Sequence, residues 1–162
     1  MITAVEPTVG KRDSGQALAG GDMGKVVTRV ELFSCGDEEM VERGQLRADQ
    51  IRRDSIEALA DTGATLMSIP QDVIDKLGVR VFSERVSRFA NGETAVKKIS
   101  GPVHIRVMGR DALVVTMATH PGLPSLLGQI PLESLDLLVD PKRQRLIAGH
   151  PDYPNEQLIE CY

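Results

Sequence analysis

Between Lys25 and Ile147 the apolar residues of this chain fall into short runs of period two, and most runs are closed by a turn signal. Side chains alternate between the two faces of a strand, so this pattern folds as half-buried β-strands. Val26, Thr28, Val30 and Leu32 alternate with Val27, Arg29 and Glu31, and predict a strand over Lys25–Phe33. Arg53–Ala60 reads as a second strand. Asn91-Gly92 separates Val86–Ala90 from Glu93–Ile99 and predicts a hairpin with a type I′ turn, whose two central residues both need positive φ. Val103, Ile105 and Val107 lead to Gly109-Arg110, which suits a type II′ turn, and Leu113, Val115 and Met117 alternate on the way back. Pro141-Lys142 lies between Leu137–Asp140 and Arg145–Ile147, a third hairpin.

Helical signals are few. Pro70–Leu77 has an apolar face of Val73, Ile74 and Leu77 and a terminating Gly78. Gln129–Leu135 has room for one or two helical turns. Gly36–Gln50 is charged and reads as a surface loop, with at most a helical turn around Glu38–Arg43. The expectation is therefore an all-β (mostly β) domain with one or two short helices. A chain of 162 residues fits one such domain with a sizeable core. The domain is placed at residues 23–150, after an extension over residues 1–22 that is rich in Gly, Ala, Ser and charge and reads as disordered. Met23 could be the natural start. Residues 151–162 read as a tail.

Composition narrows the function. The net charge of -4, with both signs interspersed, is unlike the basic stripe of a nucleic-acid protein, and the absence of Trp leaves few stacking platforms. No apolar stretch approaches membrane-spanning length, and residues 1–22 lack the apolar core of a signal peptide. Cys35 and Cys161 are far apart with no CxxC, which predicts free thiols in a reducing, cytoplasmic setting. His104, His120 and His150 lack metal spacing, and no cofactor or metal is expected. His104 reads as part of a solvated strand face beside Arg106. Gly24-Lys25 is no phosphate loop, because Ala19 stands at the first glycine position and Val26 where Ser or Thr belongs. Ser68 and Ser125 have no His or elbow context for a nucleophile.

The chemistry-bearing segment is Asp61-Thr62-Gly63-Ala64, set between the apolar runs Ile56–Ala60 and Leu66–Pro70. A carboxylate at a strand end, followed by a hydroxyl residue and a glycine, holds an acid at a sharp backbone turn. Gly63 lets backbone come close to whatever the acid faces. Downstream come the Asn91-Gly92 hairpin, then Leu126-Leu127-Gly128, then a short helix. This order resembles the retropepsin-like family of aspartic proteases across about residues 24–148. The resemblance implies a small closed barrel of the acid-protease type, with Asp61 catalytic and Thr62, Gly63 and Ala64 completing its loop. It also implies that Ala90, Asn91, Gly92 and Glu93 form a flap over the substrate. Leu126, Leu127 and Gly128 would pack behind the Asp61 loop, and Thr62 would bond across to a partner loop.

Hydrolysis by carboxylates needs an acid and a base at one water. Two carboxyls about 3 Å apart cannot both ionise and share a proton, so they titrate as a pair. The chain has one Asp-Thr-Gly, and Asp54, Asp111, Asp136 and Asp140 read as solvated residues beside turns or in charged loops. The second acid is therefore expected from a second copy, because a two-fold axis pairs a residue with itself. The expected function is an aspartic endopeptidase acting as a homodimer on a peptide or protein substrate. The alternative is a dimeric binding or regulatory module on the same fold with little or no proteolytic activity. Two departures from the retroviral pattern are visible. The flap tip has one glycine, and the acidic residue and Arg of the retroviral enzymes are replaced by Thr65 and Gln129. Ala64 stands where many cellular aspartic proteases carry Ser, and so lacks a hydroxyl that would favour the charged carboxylate. A pH–rate profile is expected to peak in the mildly acidic range; a peak at about pH 2, as for a gastric-type enzyme, contradicts this reading.

Overall fold

The computed structural model describes residues 24–161, and the readings of residues 1–22 and Met23 lie outside the described residues. Strands β1 (Val26–Ser34), β2 (Arg53–Ala60), β3 (Met67–Pro70), β4 (Val81–Arg88), β5 (Thr94–Val107), β6 (Arg110–Thr119) and β7 (Ser125–Leu127) form one sheet in the order β1-β2-β7-β3-β6-β5-β4. A further pairing of β1 with the second half of β5 closes six of them into a barrel and leaves β4 outside, bonded to the first half of β5. Strands β8 (Leu137–Asp140) and β9 (Arg145–Ala148) form a separate hairpin. The mostly β reading and the small acid-protease barrel are both seen.

Period two drives the closure. Val26, Val30 and Leu32 of β1 point inward with Val103, Ile105 and Val107 of β5, all 1% exposed or less. Helix α2 (Gln71–Leu77) caps one side of this core with Val73, Ile74 and Leu77 and ends at Gly78 in the left-handed conformation. Helix α3 (Gln129–Ser134) adds Leu132, with Leu135 just beyond it. Both helices occur where the sequence signals them.

Two turns differ in type from expectation. At the β4–β5 tip only Gly92 has positive φ (88°). The Asn91 side chain instead accepts from the Glu93 N–H (3.0 Å), and Gly92 N–H donates to Phe89 O (2.9 Å). This is a three-residue loop, a type I turn followed by a left-handed Gly, in place of type I′. The β5–β6 turn is centred on Met108-Gly109, both at positive φ (52° and 75°), with Val107 opposite Arg110. It is a type I′ turn one residue earlier than the type II′ turn predicted.

The charged stretch predicted as a loop is helix α1 (Cys35–Glu42) followed by a 3-10 turn (Ala48–Gln50), which makes three α-helices where one or two were expected. Ser34 caps α1 by accepting from Asp37 N–H (3.3 Å). Asp37, buried in the first turn, takes two bonds from the Arg52 guanidinium (2.8 Å each) and one from its N–H (2.9 Å). The Arg52 hydrogen bond holds the Asp37 carboxyl down at about 2, against the opposing effect of burial.

Two of the three histidines each bridge two carboxylates, which corrects the reading of His104 as solvated and of Asp111 and Asp136 as free. His104 Nδ1 lies 2.7 Å from Glu38 of α1, and Nε2 lies 2.7 Å from Asp111 of β6. His150 Nδ1 lies 2.8 Å from the buried Asp136, and Nε2 lies 3.2 Å from Glu160. Asp136 also accepts from Leu158 N–H, while Arg110 donates to the carbonyls of Leu135, Asp136 and Pro154. Gln157 bonds the backbone of Asp111 and Ser134. The segment read as a tail is thus fastened to the barrel.

A neutral imidazole has one N–H, so only the charged ring satisfies both neighbours. Burial opposes charge on His104, and the bonds to Glu38 and Asp111 outweigh it; the bond to Asp136 leads for His150; both pKa values are raised. Burial likewise opposes charge on Asp111 and Asp136, and their hydrogen bonds to His104 and His150 outweigh it, so both are lowered. The histidine contribution is full below the unfolded value of about 6.5 and is lost as pH rises through the raised folded values. The carboxylate contribution is full above about 4 and is lost as pH falls. Thermal midpoints should therefore peak between about pH 4 and 6.5, and His150→Gln should flatten the alkaline limb. A wild-type midpoint still rising at about pH 8 contradicts this.

Candidate active site

Asp61 is the first residue past β2, and its main chain is fixed from the neighbouring strand: its N–H donates to Leu127 O (3.0 Å) at the end of β7. Strands β2 and β7 run parallel, with Leu59 opposite Leu126 and Ala60 opposite Leu127. Parallel neighbours cannot be joined by a tight turn. The chain instead makes β3, α2 and both hairpins before it returns.

The loop then folds on itself. Ala64 N–H donates to Asp61 O (3.1 Å), and Gly63 N–H donates to the carboxylate Oδ1 (2.9 Å). A Cβ on Gly63 would stand 3.1 Å from that same oxygen, a tight approach that the glycine avoids. Oδ2 has no hydrogen-bond partner among the described residues. Asp61 and Ala64 are half-buried, whereas Thr62 and Gly63 are exposed at the tip.

The Leu126-Leu127-Gly128 segment lies against this loop. Leu127 is fully buried in the core and Leu126 is half-buried. Gln129 N–H donates to Ala64 O (2.8 Å), and Ile130 N–H donates to Thr65 O (3.1 Å). Thr65 and Gln129, the two neutral replacements, are therefore joined to the seam through backbone, while the Gln129 amide turns to Glu133 (2.6 Å). Gly128 has ordinary negative φ (-81°), and its constraint is space. A Cβ there would collide with the backbone oxygens of Leu66 and Ala64, the latter at 2.8 Å.

The structure thus brings Asp61, Thr62, Gly63, Ala64, Leu126, Leu127 and Gly128 into one assembly. Ala90, Asn91, Gly92 and Glu93 stand exposed at the tip of the β4–β5 hairpin, with no hydrogen bond to the Asp61 loop among the described residues. Beside Thr62 runs a groove of about 1000 Å³ that also takes in Gln129, Leu138 and Ile159. Leu138 was read only as part of the third hairpin, and Ile159, an isolated apolar residue in the segment read as a tail, carries no period.

Gly128→Ala should cost about 1–3 kcal/mol, because the colliding atoms are main-chain oxygens with little room to yield. Chemical denaturation measures this; an unchanged midpoint would show that the loop is not seated on Gly128.

A family model described as aspartyl protease matches residues 45–130, more than half of the chain. The match contains the Asp61 loop, the β4–β5 hairpin and Leu126-Leu127-Gly128. No curated protein matches the chain. On the family match, the chain belongs to the aspartyl protease family, within the retropepsin-like clan.

Proposed function

We propose that the protein is an aspartic endopeptidase that works as a homodimer, with the Asp61 carboxylates of two copies facing one water. The observation that carries this reading is the Asp61 loop itself. The chain holds a single Asp-Thr-Gly, the loop is pinned by β7, and its tip residues Thr62 and Gly63 are left exposed. A two-fold axis beside Thr62 would cover that tip with its own copy. The open groove next to Thr62, with Leu138 at 52% and Ile159 at 84% exposure, supports a partner on this side.

In the pair, the ionised carboxylate takes a proton from the water as it attacks the scissile carbonyl. The protonated one donates to the carbonyl oxygen, whose negative charge is thereby quenched. The Gly63 N–H on Oδ1 fixes the carboxylate plane and leaves Oδ2 to face the reactants. No covalent intermediate forms. The β4–β5 hairpin, with Ala90, Asn91, Gly92 and Glu93 at its tip, would cover the peptide. Two free thiols, Cys35 and Cys161, support a reducing cytoplasmic setting.

Cleavage of a peptide library by wild type should exceed that by Asp61→Asn by about 10²- to 10⁴-fold, because Asn can serve as neither base nor acid. Equal cleavage by the two proteins sinks the protease reading. A dimer in sedimentation that cleaves nothing would favour the binding-module alternative.

A further inference from the structure

Strand β4 lies at the open edge of the sheet. It pairs with the first half of β5 and with no other strand among the described residues. An open edge presents unpaired N–H and C=O groups, and proteins usually blunt it with proline, lysine, a bulge or a cover. β4 contains neither proline nor lysine, and its ladder is regular from residue 83 to residue 88. Phe89 N–H donates to Glu93 O (2.8 Å), and bonded and non-bonded pairs alternate along an antiparallel ladder. Ser83, Arg85 and Ser87 therefore direct their backbone groups at β5, and Glu84, Val86 and Arg88 direct theirs outward.

The three outward residues also share one face, because side chains alternate along a strand. Val86 is 71% exposed, and Val96, opposite it on β5, is 63% exposed. Glu84 and Arg88 flank Val86 at equal distance in sequence, and neither has an ion pair among the described residues. Two antiparallel copies of such a strand must pair outward residues with outward residues, so a two-fold axis between them passes through a residue. An axis at Glu84, Arg85 or Arg88 sets that charge opposite its own copy, which repels. An axis at Ser87 brings no opposite charges together. An axis at Val86 sets Glu84 opposite Arg88 of the copy, twice over, with Val86 opposite itself.

We propose that the β4 edge is a self-complementary interface whose occupant is β4 of a second copy, antiparallel and in register about Val86. Backbone bonds would join Val86 to Val86 of the copy, and Glu84 to Arg88 in both directions. On the side-chain face the pairing builds a row of four valines across four strands, the two Val86 inside and the two Val96 outside, and so removes exposed apolar surface from water. In the next row Glu84 stands between Lys98 of its own chain and Arg88 of the copy. On the opposite face Arg85 meets Ser87 of the copy, so no like charges oppose each other across the new edge. The contact lies on a different element from the exposed Thr62 tip, and it does not depend on the protease reading.

The test puts a single thiol into the full-length protein on a background of Cys35→Ser and Cys161→Ser. Directly opposed residues in this register have Cα atoms about 5.5 Å apart, within reach of a disulfide. Under mild oxidation Val86→Cys should form a cross-linked dimer about tenfold or more faster than Val96→Cys, which would lie about three strand spacings from its copy. Adding Glu84→Arg should slow the linkage at low salt about three- to tenfold, and adding Arg88→Glu to that variant should restore it. Sedimentation repeats the comparison with both native cysteines in place: Glu84→Arg should lower the mass at high concentration, and the double variant should recover it. Equal rates at the two thiol positions, no effect of Glu84→Arg, or no recovery in the double variant overturns the proposal. An extended peptide of unrelated sequence carrying one cysteine should capture Val86→Cys more slowly than a second copy does at equal concentration. Faster capture marks an edge for peptide strands and also overturns the proposal.

Discussion

The parallel seam between β2 and β7 is what the rest of this molecule is arranged to produce. Three backbone bonds, from the Asp61 N–H to Leu127 and from Gln129 and Ile130 to Ala64 and Thr65, hold the Asp61 loop along its whole length. None of them can form between residues adjacent in sequence. Ala60 and Leu127 meet only because β3, α2 and two hairpins carry the chain around the barrel, and because the β1–β5 pairing closes it. Gly128 completes the seam by having no side chain. Its neighbours are main-chain oxygens, so the contact is a backbone-to-backbone one that no other residue could make.

The charges divide the surface into two kinds of region. Asp37 with Arg52, Glu38 and Asp111 with His104, and Asp136 with His150 and Arg110 all link separate segments, and they fasten α1 and residues 150–160 to the barrel. The central group of each cluster, Asp37, His104 and Asp136, is buried or half-buried, where an unpaired charge is costly, so each element they join is fixed in place. The β4–β5 hairpin is organised in the opposite way. Strand β4 pairs with β5 alone, and its cations are unmatched. Stability is concentrated in the barrel and its clasps, and the element proposed to meet substrate is left electrostatically incomplete.

The strands and the Asp61 loop were legible in the sequence because their causes are local. Period two in β1 and β2 reflects burial on one face, and the two outer features of α2, Pro70 and Gly78, act within a single turn of helix. The errors share a different cause. Helix α1 forms because Asp37 finds Arg52 fifteen residues on, a pairing that a charged composition does not reveal. His104 was read by its own strand face, although Glu38 from α1 arrives over it. The turn types failed for a narrower reason. Positive φ is shared differently between neighbours than residue preference suggests: Asn91 uses its side chain as a turn acceptor, and Met108 takes the left-handed position usually left to Gly or Asn.

The same contrast bears on the proposed dimer, in which one chain supplies half a site. Everything that positions Asp61 comes from within the chain, and all of it approaches from β7 and the loop's own backbone. Thr62 is exposed at the tip and borders the open groove shared with Gln129, Leu138 and Ile159. A lone carboxylate cannot be base and acid in the same step, so the fixed half and the open half belong to one requirement. Under the proposed two-fold axis, the seam that orders one Asp61 also orders the other. Geometry at the water would then be set twice by a single interaction, β2 against β7, with no additional residue needed to align the pair.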